Sequence, residues 1–205
     1  MEGRCFRTAA EWRAWLAEHH ETATEIWLIY YKKGSSKKSL TYLEALEEAL
    51  CYGWIDSTVG RLDAERYKQR YTPRNPDSVW SASNKERIEK LIAEGRMTEA
   101  GLAKIRAAKR NGSWTKLDKV DRNGETPPEL VAALGKNPKA MDEFGKLPPS
   151  QRKMWSWWIV SAKRPETRAR RLAAAVVWIE AGRRIGLETP RLGPEEHRRS
   201  LGTKK

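Results

Sequence analysis

The stretch Trp54-Ile55-Asp56-Ser57-Thr58-Val59-Gly60, followed beyond Arg61, Leu62 and Asp63 by Glu65-Arg66-Tyr67-Lys68-Gln69-Arg70-Tyr71-Thr72, decides the fold of this chain. Both halves carry β-branched and aromatic residues, the break between them is short, and Pro73 and Pro76 terminate the second half. The pattern predicts two antiparallel strands, 54–60 and 65–72, joined by a tight turn. Upstream, Glu25 to Lys33 (EIWLIYYKK) is apolar on both alternate faces and predicts a further strand covered on both sides. A small antiparallel sheet of about three strands follows.

Helical signals surround these strands. Thr8-x-x-Glu11 and Thr41-x-x-Glu44 have the form of capping boxes, in which side chain and backbone satisfy each other at a helix start. The first predicts a helix with Trp12, Trp15 and Leu16 on its inner stripe, ending near His19 and His20. The second predicts a helix with Leu43, Leu46, Ala49 and Leu50 inward, stopped by Gly53. Two more are expected at 84–94, with Ile88, Leu91 and Ile92 inward, and at 99–110, with Leu102 and Ile105 inward. Residues 112–125 show neither period and read as a linker. Beyond them, Thr126-Pro127 and Asn137-Pro138 each set a capping residue before a proline and predict two short helices. Trp155, Trp158, Ile159 and Ala162, then Leu172, Ala173, Val176 and Ile179 beyond Pro165, predict a helical hairpin. The expected fold class is α+β and mostly helical. An N-terminal unit (1–111) holds the sheet and its helices, a linker covers 112–125, an all-α unit covers 126–186, and 187–205 is a basic polar tail.

With 205 residues and 39% hydrophobic content, the chain can build a core without staples. Its net charge of +13 is uneven, reaching +9 over residues 149–205. Such an excess attracts polyanions diffusely, nucleic acid or acidic membrane surfaces among them, and also serves solubility. Two cysteines, Cys5 and Cys51, make neither a disulfide framework nor a zinc cluster and suit a reducing cytoplasm. No signal-type run opens the chain and no stretch approaches the roughly 20 apolar residues of a membrane span, so a cytoplasmic protein is expected.

Catalytic signatures are thin. Of three histidines, His19 and His20 sit at a helix end, where the dipole favours a cation, and His197 falls in the tail. Gly34 stands alone where a phosphate loop needs several glycines, and the acidic residues lie beside lysines and arginines as solvated faces do. No cofactor and no metal is expected. Residues 52–84 are chemically the most varied. If the two strands pair, Trp54, Asp56, Arg70, Tyr71 and Arg74 approach one another, with Trp80 across the Pro73/Pro76 turn. This mix of acid, guanidinium and ring faces suits an anionic or planar ligand. The other reading of the same residues is an aromatic core with Asp56 and Arg70 as a buried ion pair. A second candidate surface is a nucleic-acid interface on the last long helix, through Arg168, Arg170 and Arg171. Trp157 lies outside the apolar stripe nearby, and Arg198, Arg199, Lys204 and Lys205 follow in the tail.

Glu47-Glu48-Ala49-Leu50-Cys51-Tyr52-Gly53-Trp54-Ile55-Asp56-Ser57, Tyr67-Lys68-Gln69-Arg70-Tyr71-Thr72-Pro73-Arg74 and Ser78-Val79-Trp80-Ser81-Ala82-Ser83-Asn84 together resemble the YdeI/OmpD-associated, or bacteriocin-protection, family. The resemblance runs on through 92–98 and the segment Ala162 to Arg171, covering roughly residues 6–185. Departures are Tyr52 and Tyr71 in place of phenylalanine, Ser57 in place of glycine, and Ala82-Ser83 in place of basic or polar residues. The resemblance implies an OmpD-associated-type helical module in the C-terminal unit and a role in protection against bacteriocins or cationic antimicrobial peptides, without an agreed reaction. A +13 chain repels cationic peptides, so direct trapping is disfavoured. The porin association in the family's name is not carried over to a chain without an export signal. Three functions stay open. The first is a non-enzymatic cytoplasmic stress-protection or interaction protein with its ligand around Trp54, Asp56, Arg70, Arg74, Trp80 and Asn84. The second is a nucleic-acid-binding protein. The third is an enzyme or binder of a small anionic molecule with Asp56 as its acid/base.

Overall fold

The computed structural model describes residues 3–32 and 34–185. The expected basic tail, with His197, Arg198, Arg199, Lys204 and Lys205, lies outside the described residues. The chain divides into two units, Met1–Asp118 and the residues from Lys119 on.

In the first unit, α1 (Ala9–His19), β1 (Ile26–Tyr31), α2 (Tyr42–Cys51), β2 (Trp54–Arg61), β3 (Arg66–Pro73), α3 (Ala82–Ala93) and α4 (Glu99–Arg110) follow in order. The three strands form one antiparallel sheet in the order β1-β3-β2, so the strand made last lies in the middle. Asp56 stands opposite Tyr71 and Val59 opposite Gln69, which leaves a bulge between them on β2. The outer edge of β1 is not bare: Arg4 bridges Leu28, with its N–H on the Trp27 carbonyl and its own carbonyl accepting from Ile29. Covering an edge in this way removes a template for unwanted pairing.

The capping signals act locally as their chemistry requires. Thr41 and Glu44 form the complete box. At α1 only half of it forms: Thr8 Oγ1 accepts from Glu11, while the Glu11 carboxylate takes the Arg7 N–H instead. Gly53 ends α2 with a φ of 72°, a conformation that costs a side-chain-bearing residue far more than glycine.

One core cluster lies between α1, α2 and the sheet and contains Trp12, Leu16, Leu28, Tyr30, Trp54 and Tyr71. The other joins α2 to α3 and α4 through Leu46, Leu50, Trp80, Ile88, Leu91 and Ile105. Two assignments of helix face are corrected here. Leu43 is 52% exposed and Ile92 48%, because α2 turns Ala45, Leu46 and Ala49 inward and α3 turns Lys85, Ile88 and Leu91 inward. The buried Lys85 is neutralised by Asp118. Glu48, also buried, binds Arg13 of α1 at 2.6 Å and Arg96 beyond α3 at 2.6 Å, tying two parts of the unit to α2.

A six-residue helix, α5 (Asp118–Asn123), occupies part of the segment read as linker. The second unit continues with α6 (Pro128–Gly135), α7 (Pro138–Lys146), α8 (Pro149–Val160) and α9 (Pro165–Glu180). Asn137 caps α7 through the Ala140 N–H, as its place before a proline predicts, whereas α6 begins one residue later than Thr126-Pro127 implied and has no side-chain cap. Helix α9 packs on α6, α7 and α8. Trp155, Ile159, Trp178 and Ile179 are buried at the centre, with Leu130, Leu134 and Phe144 around them. Ala173 is exposed, while its neighbours Ala174 and Ala175 face inward.

Candidate functional site

The core face of the sheet carries an unusual density of polar groups. Asp56, at the β2 bulge, accepts hydrogen bonds from Gln69 Nε2 at 2.6 Å and from the Tyr42 hydroxyl at 3.2 Å. Behind it, the Tyr30 and Tyr71 hydroxyls lie 3.0 Å apart, and Tyr30 stacks on Tyr67. Bulges re-aim side chains and raise local twist, and this one falls immediately after the carboxylate. Burial pushes the Asp56 carboxyl above the ordinary carboxylate range, against the opposing pull of the Tyr42 hydroxyl, its own backbone, Arg74 and Arg87. Tyr42 in turn is pushed up to about 12, first by burial and then by the Asp56 charge.

Arg74, just past β3, is 4% exposed and Trp80 2%. The guanidinium carbon sits over the indole, 3.5 Å from its centroid, and one terminal nitrogen donates to the Val79 carbonyl. The Arg74 Nε is buried with no acceptor, and no carboxylate lies within ion-pair distance of this arginine among the described residues. Burial lowers its ionisation to about 10, opposed only by the charge of Asp56. Beside it, Ser81 caps α3, and Asn84 accepts weakly from Arg87 at 3.5 Å.

The six expected ligand residues therefore do not all meet. Asp56 and Arg74 are electrostatic neighbours, and Arg74 and Trp80 are in direct contact. Trp54 is 1% exposed and spends its indole N–H on the His20 carbonyl. Arg70 does not pair with Asp56. Asp56 is opposite Tyr71, so the pleat turns Arg70 to the other face, where Nε bonds Glu25 at 2.7 Å. Tyr42, Gln69 and Arg87 complete the surroundings of Asp56 and were not among the residues singled out from sequence. Gln69 lay within the strand motif, but Tyr42 reaches the carboxylate and Arg87 adds its charge from two helices that no local pattern links to it.

On the second unit, Arg168 is engaged with Glu129. Arg171 donates to the Trp158 carbonyl and Ser161 Oγ at the end of α8 while its guanidinium sits over the Trp158 ring. Arg170 and Trp157 are exposed, Trp157 at 38%. Among the described residues, no three His, Cys, Asp or Glu side chains gather to hold a metal ion, and no helix is long and apolar enough to cross a membrane.

No curated protein and no solved structure matches the chain. Two family models do. Residues 4–104 match one described as a domain of unknown function (DUF8412). Residues 123–182 match one described as Bacteriocin-protection, YdeI or OmpD-Associated. The second match is narrower than the stretch over which the sequence resembles that family. The motifs at 47–57, 67–74 and 78–84 lie in the separately matched N-terminal part, while Ala162 to Arg171 lies within the C-terminal match. Residues 123–182, the helical bundle built around Trp155 and Trp178, are a domain of the bacteriocin-protection, YdeI or OmpD-associated family.

Proposed function

We propose that the chain is a non-enzymatic, cytoplasmic protection protein of the bacteriocin-protection type that works by binding, with an N-terminal unit that takes a small anionic ligand at Arg74, Trp80, Asp56 and Asn84. The observation that carries this reading is the state of Arg74: buried, stacked on Trp80, holding an unmet Nε donor and lacking an acidic partner. Leaving a buried donor unmade costs about 1–3 kcal/mol, more where the group is charged, and an anion entering beside it would offset that cost. Trp80 fixes the plane of the fork, so little side-chain entropy remains to be lost on binding. Asp56, its carboxyl raised by burial, would meet the ligand as a hydrogen-bond donor when protonated and repel it when ionised. Two unpaired cysteines suit a reducing compartment. The surroundings of Asp56 supply tyrosines and arginines and no nucleophile–base pair, which favours binding over turnover.

The test is a deletion strain complemented with the wild-type gene or with Arg74→Met and challenged with polymyxin or a bacteriocin. The deletion is expected to sensitise the cells, the wild-type gene to restore them and Arg74→Met to fail. A deletion strain as resistant as its parent would remove the protective role; full rescue by Arg74→Met would remove the site.

A further inference from the structure

We infer a second, independent anion site in the C-terminal unit: an open cleft of about 480 Å³ between α5 and the first turn of α8, suited to a small phosphate-bearing molecule. Its walls are Asp121, Arg122 and Thr126 on one side and Ser150, Arg152 and Lys153 on the other. The acid is already spent within the protein. Asp121 lies 3.4 Å from Lys153 Nζ, which also donates to the Asp121 backbone carbonyl at 2.9 Å. Arg122 and Arg152 remain, and neither forms an ion pair among the described residues.

Arg152 gives the cleft its demand for a ligand. Its Nε is buried without an acceptor, although the side chain lines an open cleft. Buried donors are nearly always satisfied, and an oxyanion oxygen is the group that would satisfy a guanidinium here. The surroundings add to the same field. Helix α8 opens on Pro148 and Pro149 with no side-chain cap and no acid in its first turn, so no side chain of its own first turn offsets its positive pole. Ser150 and Thr126 supply hydroxyl donors. Two guanidinium forks, two hydroxyls and a helix pole fit a dianionic, many-acceptor group such as phosphate better than a lone carboxylate. The volume leaves room for more than a bare ion, within the range of small-molecule pockets.

The experiment is calorimetric titration of the full chain with sodium pyrophosphate at low ionic strength, alongside titration with a short DNA duplex. Titrated in the Arg74→Met background, which removes any contribution of the site proposed in the other unit, pyrophosphate is expected to bind saturably, and about tenfold more weakly once Arg122→Gln or Arg152→Gln is added. Arg122 is exposed, so its variant folds whatever Arg152 contributes to packing. No binding at millimolar pyrophosphate in that background, or binding that both glutamine variants retain, would each overturn the site. Binding of the duplex without pyrophosphate binding would also overturn it, in favour of a diffuse nucleic-acid surface.

Discussion

The Arg74 guanidinium lies 3.5 Å from the centre of the Trp80 ring while its Nε hydrogen is buried with no acceptor. Stacking and thwarted hydrogen bonding on one side chain separate stability from binding. Arg74→Met keeps the bulk and removes the unmet charge, so stability is expected to stay level or rise by about 1 kcal/mol in urea unfolding. Trp80→Ala should cost about 3–5 kcal/mol by opening a cavity. A large loss in Arg74→Met would mark the arginine as purely structural.

Asp56 gives a pH dependence of known sign. Its folded ionisation lies above the ordinary value of 3.8, so its contribution to stability is complete below that value and falls as pH rises through the folded one. Asp56→Asn removes the charge while keeping an acceptor for Gln69 and Tyr42. The variant is expected to melt about 2–4 °C above the wild type at pH 7, with the gap closing as pH falls below 4. A gap independent of pH would contradict the assignment.

Glu48 joins Arg13 and Arg96, and its removal strands both cations. With each arginine about one-third exposed, Glu48→Ala should cost about 2–3 kcal/mol, less than a fully buried pair, and Glu48→Gln somewhat less. Chemical denaturation of the two variants measures the difference.

Gly101 sits where α4 meets the end of α2. A Cβ there would stand 2.3 Å from the Cys51 carbonyl oxygen, a backbone atom that cannot rotate away. Gly101→Ala improves helix propensity and should still destabilise by about 1–3 kcal/mol, with Thr98, which donates to the same carbonyl at 2.6 Å, displaced. A more stable Gly101→Ala protein would show that the two helices yield easily.

Much of the fold was legible because its signals are local. The Thr41–Glu44 box, Gly53, Pro73 and the two strand runs each act on neighbours within a few residues, and the structure puts elements where they point. Errors came from relations that sequence spacing does not encode. Leu43 and Ile92 fit an apolar stripe equally well on paper, and only the packing of α2 and α3 decides which edge of the stripe meets the core. The Asp56–Arg70 pair failed on register: Arg70 is opposite Trp27, and Glu25, two residues before Trp27 and just ahead of β1, becomes its partner. The sequence identified Arg74 and Trp80 as neighbours; that the arginine would be buried without a counter-charge depends on packing that local spacing does not encode.

The strand order also sets a timetable. β1 leaves the ribosome first, but its partner is β3, and the residues of the Glu25–Arg70 bridge lie 45 positions apart. At about 5–20 residues per second, Trp27, Ile29 and Tyr30 wait a few seconds before the middle strand exists. The β2–β3 hairpin can form from local contacts alone, so β1 stays unpaired on its β3 side until the central strand is made, with the Arg4 bridge on its outer edge and the apolar face of α1 already available to it in that interval.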